Sequence, residues 1–564
     1  MARPRLHGTD GIRGRADETL GAALEWDDEG ALNALIEHRV LCNRAMRIIG
    51  EATGLHLLNA VGNSPLVVIG WDRRKANNGL VDALESGLGA AGCRTIRVGE
   101  VPTPGLHHAV LASAADAGMM VTASHNPATD SGVKLFDSDG YKSMPETEDK
   151  ISELAWDLAD GSTAAPQGKG EILDQIDGLS LYKNFLNQRI ESFESLFDCH
   201  MNSNDFDWQE IIASPGLLLD CSGGAGTDWF AEELVQRNIP SIEVSSRLDP
   251  INHECGAGEF SPTAKWLASD LLIETPSHRL LWTIAKRLEE NEGVPSWKPG
   301  QIIAAALDGD GDRCLLIEGT SDGFKIVDGD RMCDDIIRAA LSANSGKWKM
   351  ASSIESDLGL TADLDRLGEH DSITTAVGDR WLSAALWNKG SDRWLESTNF
   401  PYVIGTEDSG HLVMPALCPN TSDKWGLVGD GTATLLASLL ARAVLVKGDG
   451  GMPFENGWKS RVSVRPSVRE RWTGDNEIAE EVQVAAEAWC GSSLIRENID
   501  GEPNLLLLSG HLEEKPISIA IRNSGTEAKT SISIRFAKGI DADGGELSLK
   551  ISEILTHHLS PNSQ

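Results

Sequence analysis

Apolar and polar positions alternate in blocks along the first third of the chain. The apolar runs LVVIGWD, TIRVGE and GMMVTAS are separated by stretches of helical period, LVDALESGLGAAG and the proline-led TPGLHHAVLASAA. Strands alternating with helices predict right-handed βαβ units and a parallel sheet covered by helices. The polar stretch DGSTAAPQGKG at 160–170 reads as a linker. The pattern restarts at GLLLDCSGGAGTDWFAEELVQR, pauses over a Trp- and Pro-containing stretch near 275–300, and resumes with IIAAALDGDGDR, a second α/β unit with an insertion. A third unit, residues 320–447, contains TATLLASLLARAVLV, which Arg442 interrupts and which reads as a buried helix rather than a membrane span. Beyond KGDGGMPFENG, the segments PISIAIR and ISIRF alternate with period two around a seven-residue polar loop. That period predicts an antiparallel hairpin in an α+β last part. There is no strict repeat, although three successive α/β units of similar size are compatible with an old triplication.

A chain of 564 residues is long enough for roughly four domains. Its 41% hydrophobic and 24% charged residues are the balance of a soluble globular protein and exclude global disorder. The excess of 85 Asp+Glu over 50 Lys+Arg, a formal net charge of -35, repels nucleic acid and anionic lipid. An anionic substrate must therefore meet a local concentration of Arg and Lys. Nine widely spaced cysteines without a C-x-x-C encode neither a disulfide framework nor a zinc site, so a reducing cytoplasm is expected. The opening MARPRLHGTDGIRG lacks an apolar stretch that could act as a signal sequence, and no membrane partner is expected.

Four loops carry candidate chemistry. In VTASHNPATDSGVKLF a strand ends at Ser124 and His125, with Lys134 beyond a second turn. In LDGDGDR, after the apolar IIAAAL, Asp308, Asp310 and Asp312 stand on alternate positions, followed by Arg313. Three carboxylates that converge repel one another unless they share a hard cation, and an all-oxygen set suits Mg²⁺. A calcium hand or a plain acidic turn is the rival, but a calcium hand needs Gly where Arg313 stands and Glu where Gly319 stands. VIGTEDSGHLVM offers Glu407, Ser409 and His411, short polar groups suited to sugar hydroxyls or to a hairpin turn. AIRNSGTEAKTSI presents Arg522, Ser524, Gly525 and Thr526 with Lys529 nearby, a set that can wrap a phosphate or simply close a hairpin. No G-x-x-x-x-G-K-[ST] occurs, and the G-x-G-x-x-G match GLGAAG at 87–92 ends a stretch of helical period rather than opening a helix after a strand, so a nucleotide is not the obvious ligand. The one G-x-S-x-G match, Gly319 to Gly323, lies between LLIE and FKIV, as a hairpin turn would.

In this order, TASHNP, DGDGDR, a G-x-E-x-SGH loop and R-x-SGTE resemble the α-D-phosphohexomutases, within which the bacterial-type phosphoglucosamine mutases are most similar. Supporting matches are GTDGIRG, LLLDCSGGAG, INHECGAGEFSPTA, VGDR and VGDGTATL. The resemblance implies four domains around a central cleft: three related α/β domains at 1–165, 180–315 and 320–447, and a C-terminal α+β domain at 457–564. It implies a phosphate on Ser124, one oxygen of which joins Asp308, Asp310 and Asp312 as a Mg²⁺ ligand. Glu407 and Ser409 would hold sugar hydroxyls, and Arg522, Ser524, Gly525 and Thr526 the phosphate that is not reacting. Lys134 and His125 are the candidates for proton transfer at the attacking hydroxyl, with Lys134 favoured because relatives place it in the cleft; Arg313 offsets charge, and Arg13 and Arg380 support the serine loop and bound phosphates.

The implied reaction passes phosphate between O6 and O1 of a hexosamine through a bound hexose 1,6-bisphosphate, with phosphomannomutase/phosphoglucomutase activity as the alternative. A Mg²⁺-dependent serine phosphohydrolase or a non-catalytic sugar-phosphate sensor would each leave part of this set without a purpose. A monomer or homodimer is expected, with a hinge near 447–457. The chain departs from the pattern in two loops. GTEDSGH stands where relatives read GGEQSGH or GEMSGH, and Asn523 replaces the usual proline. The stretch 266–300 has no counterpart in the pattern and reads as a surface helix or an interface.

Overall fold

The computed structural model describes residues 3–561 except Thr9, 17–25, 202–205, Thr275, Asn344, 363–370, 388–394, 449–450 and 525–527. The chain is a mixed α/β protein of two compact units. The first comprises Met1–Ser345, Lys389–Pro401 and Ser409–Gly450; the second comprises Gly346–Asn388, Tyr402–Asp408 and Gly451–Gln564. The expected hinge at 447–457 includes 449–450, outside the described residues.

In the first unit, β1 (Ile12–Arg15), β2 (Leu66–Trp71), β3 (Arg94–Glu100), β4 (Ala117–Val121) and β5 (Asp130–Asp137) form a sheet of order β1-β5-β4-β2-β3. The expected parallel pairing holds for β2 with β3 and with β4. It fails for β5, which runs antiparallel to both β4 and β1. Only residues 122–129 separate β4 from β5. A loop that short has no helix to carry the chain back, so it makes a hairpin. That hairpin holds Ser124 and His125.

The same switch recurs in the next sheet, built from β6 (Leu217–Asp220), β7 (Ser241–Glu243), β8 (Lys265–Leu267), β9 (Ile302–Leu307), β10 (Cys314–Gly319) and β11 (Gly323–Val327). Its order is β7-β6-β9-β10-β11-β8, parallel as far as β9 and antiparallel from there. Residues 308–313 join β9 to β10. The G-x-S-x-G match is a hairpin turn, with Thr320 N donating to Gly323 O at 2.8 Å.

Helix Arg279–Glu290, in the stretch without a counterpart, is more than surface decoration. It lays Leu280, Leu281, Ile284, Ala285 and Leu288 into the core with Trp297 and Phe324. Each of the Leu and Ile side chains contributes about 1.5–3 kcal/mol on burial. Helix Gly431–Lys447 is buried along most of its length, its N-terminus capped by Asp430, whose carboxylate accepts from Ala433 N.

In the first unit, β17 (Lys424–Gly429) also pairs antiparallel with β14 (Leu395–Glu396) and β16 (Leu412–Leu417); in the second, β12 (Lys349–Ser353) pairs in parallel with β13 (Asp371–Thr375) and β15 (Val403–Thr406). The strands β18 (Trp458–Val464), β19 (Ile495–Glu497), β20 (Leu506–Leu512), β21 (Lys515–Asn523) and β22 (Thr530–Phe536) form an antiparallel sheet of order β18-β22-β21-β20-β19. Helices Glu477–Cys490 and Gly544–Leu559 cover it through Val482, Ala486, Leu547, Ile551 and Leu555. The period-two segments are the β21–β22 hairpin, whose pairing reaches Asn523 and Thr530. Among the described residues no helix is long and apolar enough to cross a membrane.

Candidate active site

The first unit brings Ser124, His125, Lys134, Arg13, Arg313 and the three aspartates together. Ser124 lies three residues beyond the end of β4 at φ 52°, a left-handed conformation uncommon outside glycine. Three neighbours hold it there. Arg74 Nη2 donates to Ser124 O at 2.8 Å, Asn252 Nδ2 donates to the same oxygen at 2.7 Å, and Thr122 Oγ1 accepts from Ser124 N at 2.9 Å. Arg74 also reaches the carbonyls of Asn126, Pro127 and Asp130. Arg13 donates to Asn126 Oδ1 at 3.0 Å and Ala123 O at 3.3 Å. The serine loop is therefore tied by its backbone, which leaves the hydroxyl free to face elsewhere.

That hydroxyl donates to Asp308 Oδ2 at 2.7 Å. Asp308, Asp310 and Asp312 are buried at 0%, 0% and 2% exposure. The loop that carries them is fixed locally: Arg313 N donates to Asp308 Oδ1 at 3.1 Å, and Thr103 Oγ1 donates to Asp310 Oδ2 at 2.7 Å. Two glycines from later in the chain close on the adjoining backbone. A Cβ on Gly431 would stand 2.3 Å from Arg313 O, and one on Gly410, already at φ +88°, 2.1 Å from Cys314 O.

The aspartates share cations. Lys134 Nζ lies 2.8 Å from Asp310 Oδ2, 3.0 Å from Asp312 Oδ2 and 3.2 Å from Asp10 Oδ2. Lys142 Nζ is 3.2 Å from Asp10 Oδ1 and 3.5 Å from Asp312 Oδ2. His411 Nδ1 stands 3.9 Å from Asp312 Oδ1, so this histidine of the third loop adjoins the metal loop. Arg313 Nε is 4.0 Å from both Asp308 Oδ2 and Asp312 Oδ1.

Titration directions follow. Burial, then repulsion by Asp312 and Asp310, pushes Asp308 well above the usual carboxylate range. Burial acts the same way on Asp312, but Lys134, His411 and Lys142 outweigh it and hold that carboxyl well below. Burial opposes the charge on Lys134, yet Asp10, Asp310 and Asp312 outweigh it and raise the ammonium well above its ordinary value. Burial, reinforced by Arg313 and Arg13, keeps His125 well below the usual imidazole range.

The donor set fits a hard divalent cation. One oxygen from each of Asp308, Asp310 and Asp312 lies within 4.8 Å of the others. Asp310 Oδ1 and Asp312 Oδ1 are buried with no hydrogen-bond partner, which leaves lone pairs for a metal.

The remaining sequence candidates occupy separate places. Ser409 is half-buried after β15, in a segment of the first unit. In the second unit, Glu407 is 3% exposed and its Oε1 accepts from Gly378 N at 2.5 Å. Arg380 is buried in the first turn of helix Asp379–Leu386. Arg522 is the penultimate residue of β21, 3.2 Å from Glu355 and 3.6 Å from Glu502. Ser524 N donates to Lys529 O at 2.9 Å, and Arg469 Nη1 donates to Ser524 O at 2.7 Å. Asn523 does structural work that a proline could not, donating to Arg469 O and Trp472 O and accepting from Thr530 Oγ1. Gly525 and Thr526 lie outside the described residues.

Sequence reasoning missed Arg74, Thr103, Asn252, Asp10 and Lys142. Asp10 and Asn252 sit inside matched segments, but nothing local marks Arg74 or Thr103, because their partners lie 50 and 207 residues away.

Comparison with known proteins defines the class. Residues 4–160 match the model of phosphoglucomutase/phosphomannomutase, alpha/beta/alpha domain I. The chain is 30% identical over 414 residues to a phosphoglucosamine mutase of Listeria welshimeri, covering 72% of this chain and 73% of that protein. It is 29% identical over 443 residues to a phosphoglucosamine mutase of Corynebacterium efficiens, covering 78% and 79%. In fold it is similar to a phosphoglucomutase/phosphomannomutase family protein of Burkholderia thailandensis, with TM-score 0.61 at 19% identity over 100% of this chain and 99% of that one. The chain belongs to the α-D-phosphohexomutase superfamily. It is an isomerase, an enzyme that moves phosphate within a hexose phosphate.

Proposed function

We propose that this phosphohexomutase interconverts glucosamine 6-phosphate and glucosamine 1-phosphate through phosphoserine 124 and a bound hexose 1,6-bisphosphate. The observation that carries the reading is the hydrogen bond from Ser124 Oγ into the buried aspartate triad. Glucosamine as the sugar is supported by the 30% identity to a phosphoglucosamine mutase. A structural neighbour, a serine-to-alanine variant of the N-acetylphosphoglucosamine mutase of Aspergillus fumigatus, was solved with glucose 1,6-bisphosphate; it is 15% identical with TM-score 0.53.

Asp308, Asp310, Asp312 and an oxygen on Ser124 would hold Mg²⁺, which offsets negative charge on the transferred phosphoryl group. The phosphoryl group leaves Ser124 Oγ for the free hydroxyl of the monophosphate, and that hydroxyl gives up its proton. The bisphosphate turns over, and its other phosphoryl group returns to Ser124 Oγ. The two proton-transfer candidates take different roles in this reading. Lys134, the favoured candidate, lies among Asp10, Asp310 and Asp312 and neutralises them, and their pull tightens its hold on its own proton. His125 is kept neutral by burial and is the second candidate for the hydroxyl proton, a weak base because the same burial disfavours its charged form.

Arg313 faces the transferring group, and Arg13, Arg74 and Asn252 keep the serine loop in place. Glu407 and Ser409 hold sugar hydroxyls. Arg522, Ser524, Gly525 and Thr526 bind the distal phosphate, and Arg380 supports bound phosphate. Nine free thiols suit a reducing cytoplasm.

Phosphorus NMR tests the reading with Mg²⁺, a trace of hexose 1,6-bisphosphate and, separately, glucosamine, glucose and mannose 6-phosphates. A 1-phosphate resonance that forms fastest from glucosamine 6-phosphate and is lost in Ser124→Ala is the expected result. Faster conversion of glucose or mannose phosphate moves the substrate and keeps the mechanism. Release of free phosphate alone overturns the mutase reading.

A further inference from the structure

One face of the antiparallel sheet in the second unit is strongly cationic. Ser463 on β18 and Arg522 on β21 both pair with Ser531 of β22, so the three side chains share a face. Alternate positions return to that face, which adds Arg461, Lys459 and, on β22, Arg535. A chain of net charge -35 thus gathers four cations on a single surface of one sheet.

Between two of them stands a carboxylate. Glu355 Oε1 is 3.2 Å from Nη2 of Arg522, and Glu355 Oε2 is 3.1 Å from Nη2 of Arg461. Two oxygens of one anion, each taken by a different guanidinium, is an arrangement that phosphate satisfies as well as carboxylate does. A phosphate dianion also brings a third oxygen and more charge. The Arg461 side chain is 40% exposed, so a ligand can reach it.

Arg461 does not depend on Glu355 for its position. Its Nη2 lies 3.2 Å from Asp408 Oδ2, and Lys459 Nζ lies 2.8 Å from the same oxygen. Asp408 is 3% exposed and occupies the position at which the related loop pattern carries Gln or Met. A buried carboxylate there requires cationic partners, and β18 supplies them.

We propose that Arg461 is a second arginine of the distal phosphate clamp, anchored by Asp408, and that the non-reacting phosphate of the substrate displaces the Glu355 carboxylate from between Arg522 and Arg461. The proposal rests on the reading of Arg522 as a phosphate-binding residue. In this chain the sugar loop and the phosphate clamp are thereby joined through Asp408, which follows Glu407 directly.

Steady-state kinetics on glucosamine 6-phosphate, together with competitive inhibition by inorganic phosphate, tests this in the full chain with Mg²⁺ and bisphosphate activator. Arg461→Met is expected to raise KM roughly tenfold while kcat changes less than about threefold, and Arg461→Lys to recover part of the loss. Glu355→Gln removes the competing anion and is expected to make inorganic phosphate inhibit several-fold more tightly, a gain that structural damage would not produce. If Arg461→Met leaves KM within about twofold while Arg522→Lys raises it, the inference falls and the Arg522 clamp stands. If neither moves KM, both fall. Should Arg461→Met fail to fold, phosphate inhibition in Glu355→Gln decides, and an unchanged or weaker inhibition overturns the proposal.

Discussion

Ser124 and Asp308, 184 residues apart in the chain, meet through a 2.7 Å hydrogen bond in which the serine hydroxyl donates to the carboxylate. The oxygen that would carry phosphate in the proposed reaction is thus seated on the aspartate loop. Removing it with Ser124→Ala should lower mutase turnover by at least about 10³-fold, since the covalent route is lost while the binding groups remain. Intact-mass measurement after incubation with hexose 1,6-bisphosphate should show the phosphoprotein in the parent chain and not in the variant.

Three carboxylates that share a cation should make folding stability depend on that cation. Mg²⁺ at millimolar concentration is expected to raise Tm by a few degrees, because a ligand that binds only the folded state stabilises it. In Asp310→Asn this shift should disappear, and chelation should abolish turnover in the parent chain until Mg²⁺ is returned. Thermal melts with and without metal check both.

Gly431 presses against the backbone of Arg313, with room for a hydrogen and none for a methyl group. Gly431→Ala should move the metal loop and reduce kcat about tenfold or more, with a lowered Tm. Gly89→Ala is the matched control. A Cβ there would meet nothing within 4 Å inside helix Asn77–Ala90, and helical Gly→Ala adds about 0.5–1 kcal/mol. The two melts should therefore move in opposite directions.

His108 is buried and stacked on Phe185 with ring centroids 4.2 Å apart. Burial, then the neighbouring His107, lowers it to about 4 from its ordinary 6.5. With the folded value below the unfolded one, the unfolded chain binds the extra proton between those limits. Stability is full above pH about 6.5 and falls as the pH drops toward about 4, by up to about 3 kcal/mol from this group. His108→Leu should flatten that acid-side slope of Tm against pH by close to one proton.

The site was legible in the sequence wherever chemistry and local period coincide. IIAAAL followed by three alternating aspartates announces a strand and its carboxylate loop, and GMMVTAS announces the strand that leads to Ser124. The pairing direction of β5 was not legible, because an eight-residue chain segment and a crossover helix leave similar apolar runs on either side; only the loop length distinguishes them. Residues that act across long separations left no local mark. Arg74 grips the serine loop through backbone carbonyls, which any sequence provides, and Arg461 gains its meaning from Glu355, 106 positions before it. The apolar face of helix Arg279–Glu290 has helical spacing, but its partners Trp297 and Phe324 belong to later segments.

The left-handed backbone at Ser124 also constrains which residue could take a phosphate there in the proposed reaction. Threonine offers the same hydroxyl and the same oxygen chemistry, yet its second branch at Cβ crowds the flanking peptide when φ is positive. A Ser124→Thr chain would have to choose between relaxing the turn and keeping the hydroxyl on Asp308. The choice of serine over threonine is thus imposed by backbone shape, and a lineage could exchange the two only after rebuilding the grip that Arg74 and Asn252 keep on the loop.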